Sequence, residues 1–453
     1  MNAPQLIQPR VLSGFRDYLP EMMMPREKLI ETAKRVYRSF GFCPIDTPTL
    51  EYLEILTGKG SEETDRQLYR FETAGGKKVG MRFDLTVPLA RFAAQHINEL
   101  KTPFKRYHIA TVWRGERPQK GRYREFMQCD FDTIGVRSAA SDIETALVIH
   151  ELMRALGLER FRIRLNHRQV LNGVLEKCGL LEHSVVVLRA LDKLDKIGPE
   201  AVAKEMRETS GADDSQVRQV LEMTQASGSN EEILKQLEPL VAGSEVGEQG
   251  AARLREILEG FSAAGASPER IVLDVSIARG LDYYTGAIFE TFLDDLPQFG
   301  SVCSGGRYDN LAQLYTKQEL PGIGASLGLD RLLAAMEELG MVEKVRTPAP
   351  VLVAFFDRGK LHDYLRIAGQ VRAAGIGVEM YPEAKKLGQQ LKYADQRGFR
   401  AAVIAGDREL DAGVCQVKNL QSGESQECSL ANEGQAVIET LRKVLSLHEA
   451  PAS

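Results

Sequence analysis

The segment FKRYHIATVWRGERPQKGRYREFMQCDFDTIG, residues 104–135, decides the fold. FKRYHIATVWRGE has the residue pattern of a β-strand, and KGRYREFMQCDFDTIG has that of its hairpin partner. Between them, RGERPQKGRYR combines proline, glycine and many charges, which interrupts the apolar pattern as a loop does. The segment therefore predicts two long antiparallel strands joined by a basic loop.

The flanking sequence predicts an α+β protein built around this hairpin. EKLIETAKRVYRSF carries apolar residues at helical spacing, and a helix is expected over 141–157 with Ser141 as N-cap and Glu144 completing a capping box. Residues 186–268 are rich in Leu, Ala, Glu, Lys and Gln, which favours a helical insertion. Strands return at ERIVLDVS and TGAIFETFL, so the first core resumes after the insertion.

A second alternation of strands and helices begins after the charged, proline-bearing stretch MVEKVRTPAP. VLVAFF, GVEMY and AAVIAG read as strands separated by helical segments, which is typical of an α/β domain. We therefore expect a core in two parts (1–185 and 269–340), a helical insertion (186–268), a linker (341–349) and a C-terminal α/β domain (350–453).

Composition excludes several classes of protein. The 453 residues are 43% hydrophobic and 27% charged, without an apolar run of membrane-spanning length or a secretory signal, so we expect a cytoplasmic protein. Six scattered cysteines form no CxxC pair, which predicts reduced thiols and no metal site. The net charge of -5 argues against a generally basic nucleic-acid surface and leaves room for a local patch.

The loop of the hairpin is the first candidate for chemistry. It carries a cationic cluster of Arg114, Arg117, Lys120, Arg122 and Arg124. Guanidinium groups bind phosphate oxygens in a fork and keep their charge, so such a cluster suits a polyphosphate. From the spacing alone, a solvated charged hairpin is an equally good interpretation.

Polar and glycine-rich motifs elsewhere favour the phosphate interpretation. In RFDLTVPLAR, Asp84 and Thr86 stand two apart, so on a strand both face one way and could orient an ammonium group. SGGRYD and GIGASLGLDR are rich in glycine, and Arg331 comes near the start of a helix. No βαβ unit accompanies GIGASLG, so a dinucleotide fold is not supported.

The stretch ARGLDYYTG adds another cation and two phenols. Arg279 and Asp282 precede the pair Tyr283 and Tyr284, next to a glycine turn. These side chains could contact a polar small molecule, although a buried tyrosine pair more often belongs to a core.

Read in order, these motifs resemble those of class II aminoacyl-tRNA synthetases, and RGLDYYTG with SGGRYD resembles the signatures of the histidyl-tRNA synthetase family. GFCPIDTPTLE is similar to the first, dimer-forming motif of the class, residues 107–132 to the second and GIGASLGLDR to the third. GFRDYLP is also typical, and the resemblance covers about 10–445. It implies an antiparallel sheet of about six strands flanked by helices, a helical insertion and a C-terminal anticodon-binding domain.

The resemblance also implies a reaction. Histidine and ATP, with Mg²⁺, would give histidyl-adenylate and pyrophosphate, and a homodimer would then transfer histidine to the 3′ end of tRNA(His). The implied catalytic residues are Arg114 and Arg279. The implied ATP contacts are Arg114 to the α-phosphate, Glu116 to the adenine amino group, Phe126 to the adenine face, and Arg122 and Arg331 to the outer phosphates.

Histidine and tRNA would contact further residues. Gln128 and Asp132 lie four apart on one strand and hence on one face. The implied histidine-binding residues are Asp84, Leu85, Thr86, Gln128, Asp132, Arg279, Tyr283 and Tyr284. Gln119, Lys120 and Arg124 would approach the tRNA acceptor end, and Lys385, Lys386, Lys392, Arg397 and Arg400 form a basic strip in the C-terminal domain, which as a charged helix could equally face water.

Three positions depart from the pattern of bacterial members of the family. Met127 stands where histidine is frequent, and Asp132 and Asp330 stand where glutamate is common, so the imidazole contact of Asp132 is open. The main alternative function is a catalytically inactive, histidine-sensing regulatory paralogue of ATP phosphoribosyltransferase. Such paralogues typically lack the C-terminal domain, which residues 350–445 supply here. A tRNA-binding module without catalysis would leave the arginines unexplained.

Overall fold

The computed structural model describes residues 7–58, 65–277, 283–343 and 345–446. These residues fall into two compact units: Met1–Asp17 with Arg26–Val342, and Tyr18–Pro25 with Glu343–Ser453.

The first unit is built on a large sheet. Up to the hairpin, the elements are α1 (Pro20–Ser39), β1 (Cys43–Pro44), β2 (Leu50–Tyr52), α2 (Leu53–Leu56), β3 (Arg70–Glu72), β4 (Lys78–Met81) and α3 (Thr86–Gln95). The two hairpin strands are β5 (Phe104–Trp113) and β6 (Glu125–Ile134), and the next elements are α4 (Ala139–Ala155), β7 (Phe161–His167) and α5 (Arg168–Lys177). After a helical segment come β8 (Ile271–Leu273), β9 (Ala287–Leu293), β10 (Cys303–Arg307), β11 (Gly322–Gly328) and α11 (Leu329–Glu338).

The strand order is β1-β5-β6-β11-β10-β9-β7-β8, and the six central strands are antiparallel. The predicted hairpin and antiparallel sheet are therefore confirmed. The short strands β1 and β8 pair in parallel at the two edges and extend the sheet beyond the expected number. A separate small sheet has the order β2-β4-β3.

The central strand β6 separates an apolar face of the sheet from a polar one. On the apolar face, the Phe131 ring packs against Tyr37 and Phe42, with ring centroids 5.2 and 5.4 Å away. The Tyr37 hydroxyl donates to the Cys129 carbonyl at 2.9 Å, which ties α1 to this face. Alternation along the strand places the side chains at 128, 130 and 132 on the opposite face. That face carries the candidate site.

The helices between α5 and β8 form one segment. They are α6 (Ser184–Leu191), α7 (Leu194–Ser210), α8 (Asp214–Met223), α9 (Asn230–Val241) and α10 (Glu245–Ala263). Gly173 of α5 and Gly247 of α10 lie so close that a Cβ on Gly173 would collide with the Gly247 backbone. Two glycines at this crossing let the helical segment pack directly on the core.

The predicted cap of the helix near residue 141 was wrong. Helix α4 begins at Ala139, and the Ser138 side chain caps it by accepting from the Ala140 N–H. Ser141 lies inside the helix and donates its hydroxyl to the Ser138 carbonyl, while Glu144 forms an ion pair with Lys105. Two serines three residues apart offered equivalent caps, and the earlier one is used.

The second unit contains a five-stranded sheet in the order β13-β12-β14-β15-β16. Its strands are β12 (Val351–Val353), β13 (Val378–Met380), β14 (Ala401–Ile404), β15 (Val414–Asn419) and β16 (Ser425–Ser429). Its helices are α12 (Leu361–Ala373), α13 (Leu387–Arg397), α14 (Asp407–Asp411) and α15 (Gln435–Leu445). β12 pairs in parallel with β13 and β14, whereas β15 and β16 form an antiparallel hairpin that the sequence did not predict. Across the described residues of both units, every helix is too short or too polar to cross a bilayer.

Candidate active site

A cleft of about 600 Å³, including its open mouth, lies above the polar face where β6, β10 and β11 meet. The cleft brings together all five residues predicted to bind ATP and one predicted to bind histidine: Arg114, Glu116, Arg122, Phe126, Arg331 and Gln128. The hairpin brings most of these residues together, and β11, which runs antiparallel beside β6 and leads into α11, adds Arg331.

Arg114 stands just beyond the end of β5, between two phenylalanines. Its guanidinium carbon lies 4.4 Å from the Phe83 ring centroid and 5.1 Å from that of Phe126. Its Nε donates to the Phe83 carbonyl at 3.1 Å. The two terminal nitrogens have no hydrogen-bond partner among the residues that the structure describes. Arg114 is thus held by its ring faces and Nε, with its fork of donors available to an anion.

Arg331 and Arg122 add positive charge to the same cleft. Burial, assisted by the neighbouring Arg122 and Arg114, lowers the pKa of Arg331 to about 10. Arg331 donates to the Ser301 carbonyl at 2.6 Å, and Arg122 lies 3.8 Å from the half-buried Glu116 carboxylate. Arg114, Arg122 and Arg331 outnumber Glu116. The other carboxylate of the lining, Asp330, pairs with two further arginines, so the cleft keeps an excess of positive charge that a polyanion would compensate.

Asp330, at the start of α11, anchors this wall of the cleft from behind. Its side chain is fully buried and lies 3.0 Å from Arg16 and 3.3 Å from Arg26. Its second oxygen accepts from the backbone N–H of Met127 at 2.7 Å. The Arg16 guanidinium also stacks on the Tyr123 ring, 3.9 Å from the centroid. One carboxylate therefore ties the N-terminal segment, β6 and α11 together beside Arg331.

The floor of the polar face is a network of buried charges. Arg106 of β5 stands directly opposite Asp132 of β6, and their side chains form an ion pair at 2.6 Å. Tyr308 donates its hydroxyl to the other Asp132 oxygen at 2.5 Å. Burial raises the pKa of Asp132, and Arg106 opposes that rise. One hydrogen bond and one ion pair thus fix the Asp132 carboxylate, and its Oδ2, which has no hydrogen-bond partner among the described residues, can accept from a ligand.

Asp84 and Thr86 do not lie on a strand, so the prediction that they share one strand face was wrong. Thr86 begins α3, and the Asp84 carboxylate accepts the backbone N–H groups of Thr86 and Val87 at 3.0 and 2.8 Å. Asp84 therefore caps the helix, as aspartate often does at helix N-termini. The apolar residues around it in the motif had suggested a strand instead. Burial raises the pKa of Asp84, and these backbone donors oppose the rise. The Leu85 carbonyl accepts from Arg106 at 3.3 Å, which ties this corner to the floor.

The tyrosine pair belongs to the same pocket. The Tyr283 ring stands edge-on to Tyr284 at 5.2 Å and to Tyr308 at 5.9 Å. Burial raises the pKa of both Tyr283 and Tyr284, so both are phenols. Arg279, predicted to be catalytic and histidine-binding, lies outside the described residues, as does Asp282.

Glycines beneath the floor make room for these side chains. A Cβ on Gly306 would press on the Tyr284 ring at 3.0 Å, and a Cβ on Gly324 would collide with the Asp132 carboxylate. The glycines of SGGRYD and GIGASLG therefore make room for Tyr284 and Asp132 and for the backbone of the neighbouring strands.

Gln128 lies at the boundary between floor and cleft. Its Nε2 donates to the Ser326 hydroxyl at 2.7 Å, and its Oε1 is buried without a partner among the described residues. Ser326 pairs across the strands with Asp130, whose buried Oδ1 also has no hydrogen-bond partner among the described residues. Burial raises the pKa of Asp130 to about 7, against the attraction of Arg106.

The three residues predicted to meet tRNA differ in their surroundings. Gln119 and Lys120 are exposed at the tip of the loop, where Lys120 forms an ion pair with Glu338 of α11. Arg124 lies under the loop and donates to the carbonyls of Glu116 and Ser13 at 3.0 and 3.1 Å. The Arg124 guanidinium thus holds the loop itself.

Sequence reasoning missed Arg106, Asp130, Tyr308 and Ser326. The hairpin register was an available signal, because a loop placed midway between the two predicted strands pairs residue 106 with residue 132. Tyr308 and Ser326 join only through β10 and β11, far along the chain. No group of three or more His, Cys, Asp or Glu side chains in the described ranges is arranged to hold a metal ion.

Comparison with known proteins agrees with this geometry. Residues 14–332 match the family model "Histidyl-tRNA synthetase", and residues 351–440 match "Anticodon binding domain". The histidine–tRNA ligase of Rhodopirellula baltica is 62% identical over 442 residues, which cover 97% of this chain and all of that protein. The histidine–tRNA ligase of Wolinella succinogenes is 46% identical over 430 residues, 94% of this chain and 97% of that protein.

A solved structure shares the architecture. The crystal structure of histidyl-tRNA synthetase from Nostoc sp. PCC 7120 superposes with a TM-score of 0.86 at 34% identity, covering 97% of this chain and 100% of that one. Sequence and fold therefore agree along nearly the whole chain.

Proposed function

The chain belongs to the histidyl-tRNA synthetase family, and from that premise we propose how its cleft and floor divide the work of a histidine–tRNA ligase. The enzyme activates L-histidine with ATP to histidyl-adenylate and transfers histidine to the 3′ end of tRNA(His). The observation that carries the division is the adjacency of an arginine-lined cleft and a buried polar floor.

The cleft takes ATP. Arg114 holds the α-phosphate with its unoccupied fork, while Arg122 and Arg331 hold the outer phosphates. Phe126 stacks on adenine, and Glu116 accepts from the adenine amino group. Mg²⁺ enters on the ATP phosphates as part of the substrate.

The floor takes histidine. Asp132, fixed by Arg106 and Tyr308, accepts from the imidazole, and the tyrosine pair walls the ring. Asp84, Leu85, Thr86 and Gln128 surround the ammonium group. A side chain without matching polar atoms would leave these buried groups unpaired, at about 1 to 3 kcal/mol for each, and that cost is the basis of selectivity.

Activation needs positioning and charge stabilisation. One carboxylate oxygen of histidine attacks the α-phosphorus, the bond to the bridging oxygen breaks, and pyrophosphate leaves. Arg114 stabilises the charge that develops on the α-phosphate oxygens. Arg279 has the second catalytic role, by resemblance alone. The terminal ribose hydroxyl of the tRNA then attacks the histidyl carbonyl, and AMP leaves.

The tRNA contacts two regions. Gln119 and Lys120, exposed on the loop, approach the acceptor end, whereas Arg124 keeps the loop folded beneath them. The anticodon meets the C-terminal domain, where Lys385, Lys386 and Lys392 are exposed and Arg397 and Arg400 are half-buried. We expect such contacts to weaken with salt.

The active form is a homodimer. On the β2-β4-β3 sheet, Leu50, Tyr52 and Phe71 lie on one face and are 43%, 50% and 48% exposed. An exposed apolar face of this kind marks an interaction site, and it lies next to the dimer-type first motif. A monomeric mass at micromolar concentration in sedimentation would contradict this assignment.

We further propose that the enzyme acts in the cytoplasm, and that its domains divide at 185/186, 268/269 and near 341–349. The regulatory alternative is not favoured, because the chain is 62% identical to a histidine–tRNA ligase along nearly its whole length.

Histidylation of a tRNA(His) transcript tests the function directly. Purified enzyme with ATP and labelled histidine should charge the transcript, and should not charge a tRNA of another identity. Histidine binding without charging would contradict the proposal.

A further inference from the structure

Resting on the proposed function, we infer that Asp130 and Ser326 form a relay that fixes the orientation of the Gln128 amide and so turns its oxygen toward the α-ammonium of histidine. Neither residue needs to touch the substrate, so both are positioning residues.

The relay is defined by the direction of its hydrogen bonds. Gln128 Nε2 donates to Ser326 Oγ at 2.7 Å, so the serine proton must point elsewhere. Asp130 stands directly across the strands from Ser326, on the same face, and its buried Oδ1 has no hydrogen-bond partner among the described residues, so it can accept the serine proton. An ionised carboxylate only accepts, so the order Gln128 to Ser326 to Asp130 has one direction.

These hydrogen bonds leave the side-chain oxygen of Gln128 as a free acceptor that faces the ligand. With its nitrogen engaged, Gln128 is left with a buried Oε1 that has no partner in the described part of the chain. Gln128 lines the cleft with Arg114, where the histidine carboxylate must meet the α-phosphate. The ammonium lies two bonds from that carboxylate and supplies the missing donor. Without Asp130, Ser326 could donate to Gln128, and the rotated amide would present N–H groups to the ammonium.

A double-mutant cycle with Ser326→Ala and Asp130→Ala, which removes the acceptor, tests the relay by ATP–pyrophosphate exchange, at a pH about one unit above the Asp130 pKa of about 7. Each single variant should raise KM for histidine about 3- to 10-fold, with kcat and KM for ATP within about twofold. The double variant should match the larger single effect. Effects that multiply, or a Ser326→Ala enzyme with the native KM, would overturn the relay.

The substrate analogue 3-(imidazol-4-yl)propionate, which lacks the amino group, separates orientation from distortion. As a competitive inhibitor it should keep its native Ki in both single variants, because it has no ammonium to present to Gln128. A Ki that rises in parallel with KM would show general damage to the pocket and overturn the relay. Ser326→Ala removes one oxygen atom and leaves the backbone intact, so the measurements on this variant remain informative if Asp130→Ala fails to fold. Native enzyme that exchanges nothing with histidine would contradict the proposed function instead.

Discussion

The cleft and the floor use arginine in opposite ways. Arg114 in the cleft rests between two rings with its terminal nitrogens available. Arg106 in the floor is fully buried and paired with Asp132. A ligand that carries several negative charges itself neutralises the arginines, so the protein leaves that site positive. A small side chain recognised by hydrogen bonds needs acceptors that are already fixed, so the protein balances its charges there beforehand.

This contrast predicts which kinetic constant each variant should change. A substitution in the cleft should reduce the rate of adenylate formation at every substrate concentration. Damage to the floor should raise KM for histidine and leave the use of ATP intact.

The largest effect is expected for Arg114→Ala. Removal of the guanidinium that stabilises charge on the α-phosphate should lower kcat for pyrophosphate exchange about a thousandfold, while histidine binding persists. Rapid-quench measurement of adenylate formation checks the change. Arg160→Ala removes an exposed arginine paired with Asp295 and serves as control. A similar fall in kcat in both variants would contradict the catalytic role of Arg114.

Asp330→Ala should cause the next largest effect, on stability. Its removal leaves the buried Arg26 and the half-buried Arg16 without their shared carboxylate, so the free energy of unfolding should fall by about 3 kcal/mol. Denaturant unfolding measures the loss. Asp294→Ala, which breaks only the exposed pair with Arg162, should cost less than about 1 kcal/mol. Equal costs would show that the buried junction contributes nothing special.

Asp132→Asn should affect histidine alone. The change weakens the ion pair with Arg106 and the acceptor for Tyr308, so KM for histidine should rise about 10- to 100-fold with KM for ATP unchanged. Tyr308→Phe, which removes one donor, should give a smaller rise of the same kind. An equal rise in KM for ATP would break the distinction between cleft and floor.

The smallest effect is expected in the pH dependence of stability, through the buried His167. His167 caps α5 by accepting from the Gln169 N–H, and burial lowers its pKa to about 3. The unfolded histidine, with a pKa of about 6.5, takes a proton first as pH falls, so stability drops from about pH 6.5 toward pH 3. His167→Asn keeps an acceptor that does not titrate. Its melting temperature should therefore fall less steeply between pH 7 and pH 5, and identical slopes would contradict the assignment.

The sequence predicted the parts of the site that one strand or loop carries. The hairpin and the helix after GIGASLG bring Arg114, Phe126 and Arg331 together because local pattern specifies each of these elements. The strand assumed for Asp84 was wrong because a helix cap and a strand end share the same polar residues. Partnerships such as Tyr308 with Asp132 depend on pairing between strands about 180 residues apart, which no local pattern specifies.

The central claim is that an ATP cleft and a histidine-selective floor act as one site. ATP–pyrophosphate exchange with every standard amino acid in turn tests it most directly, because activation and side-chain selectivity appear together without tRNA. The account predicts exchange with histidine alone. Exchange with other amino acids at a similar rate, or none with histidine despite measurable binding, would contradict it.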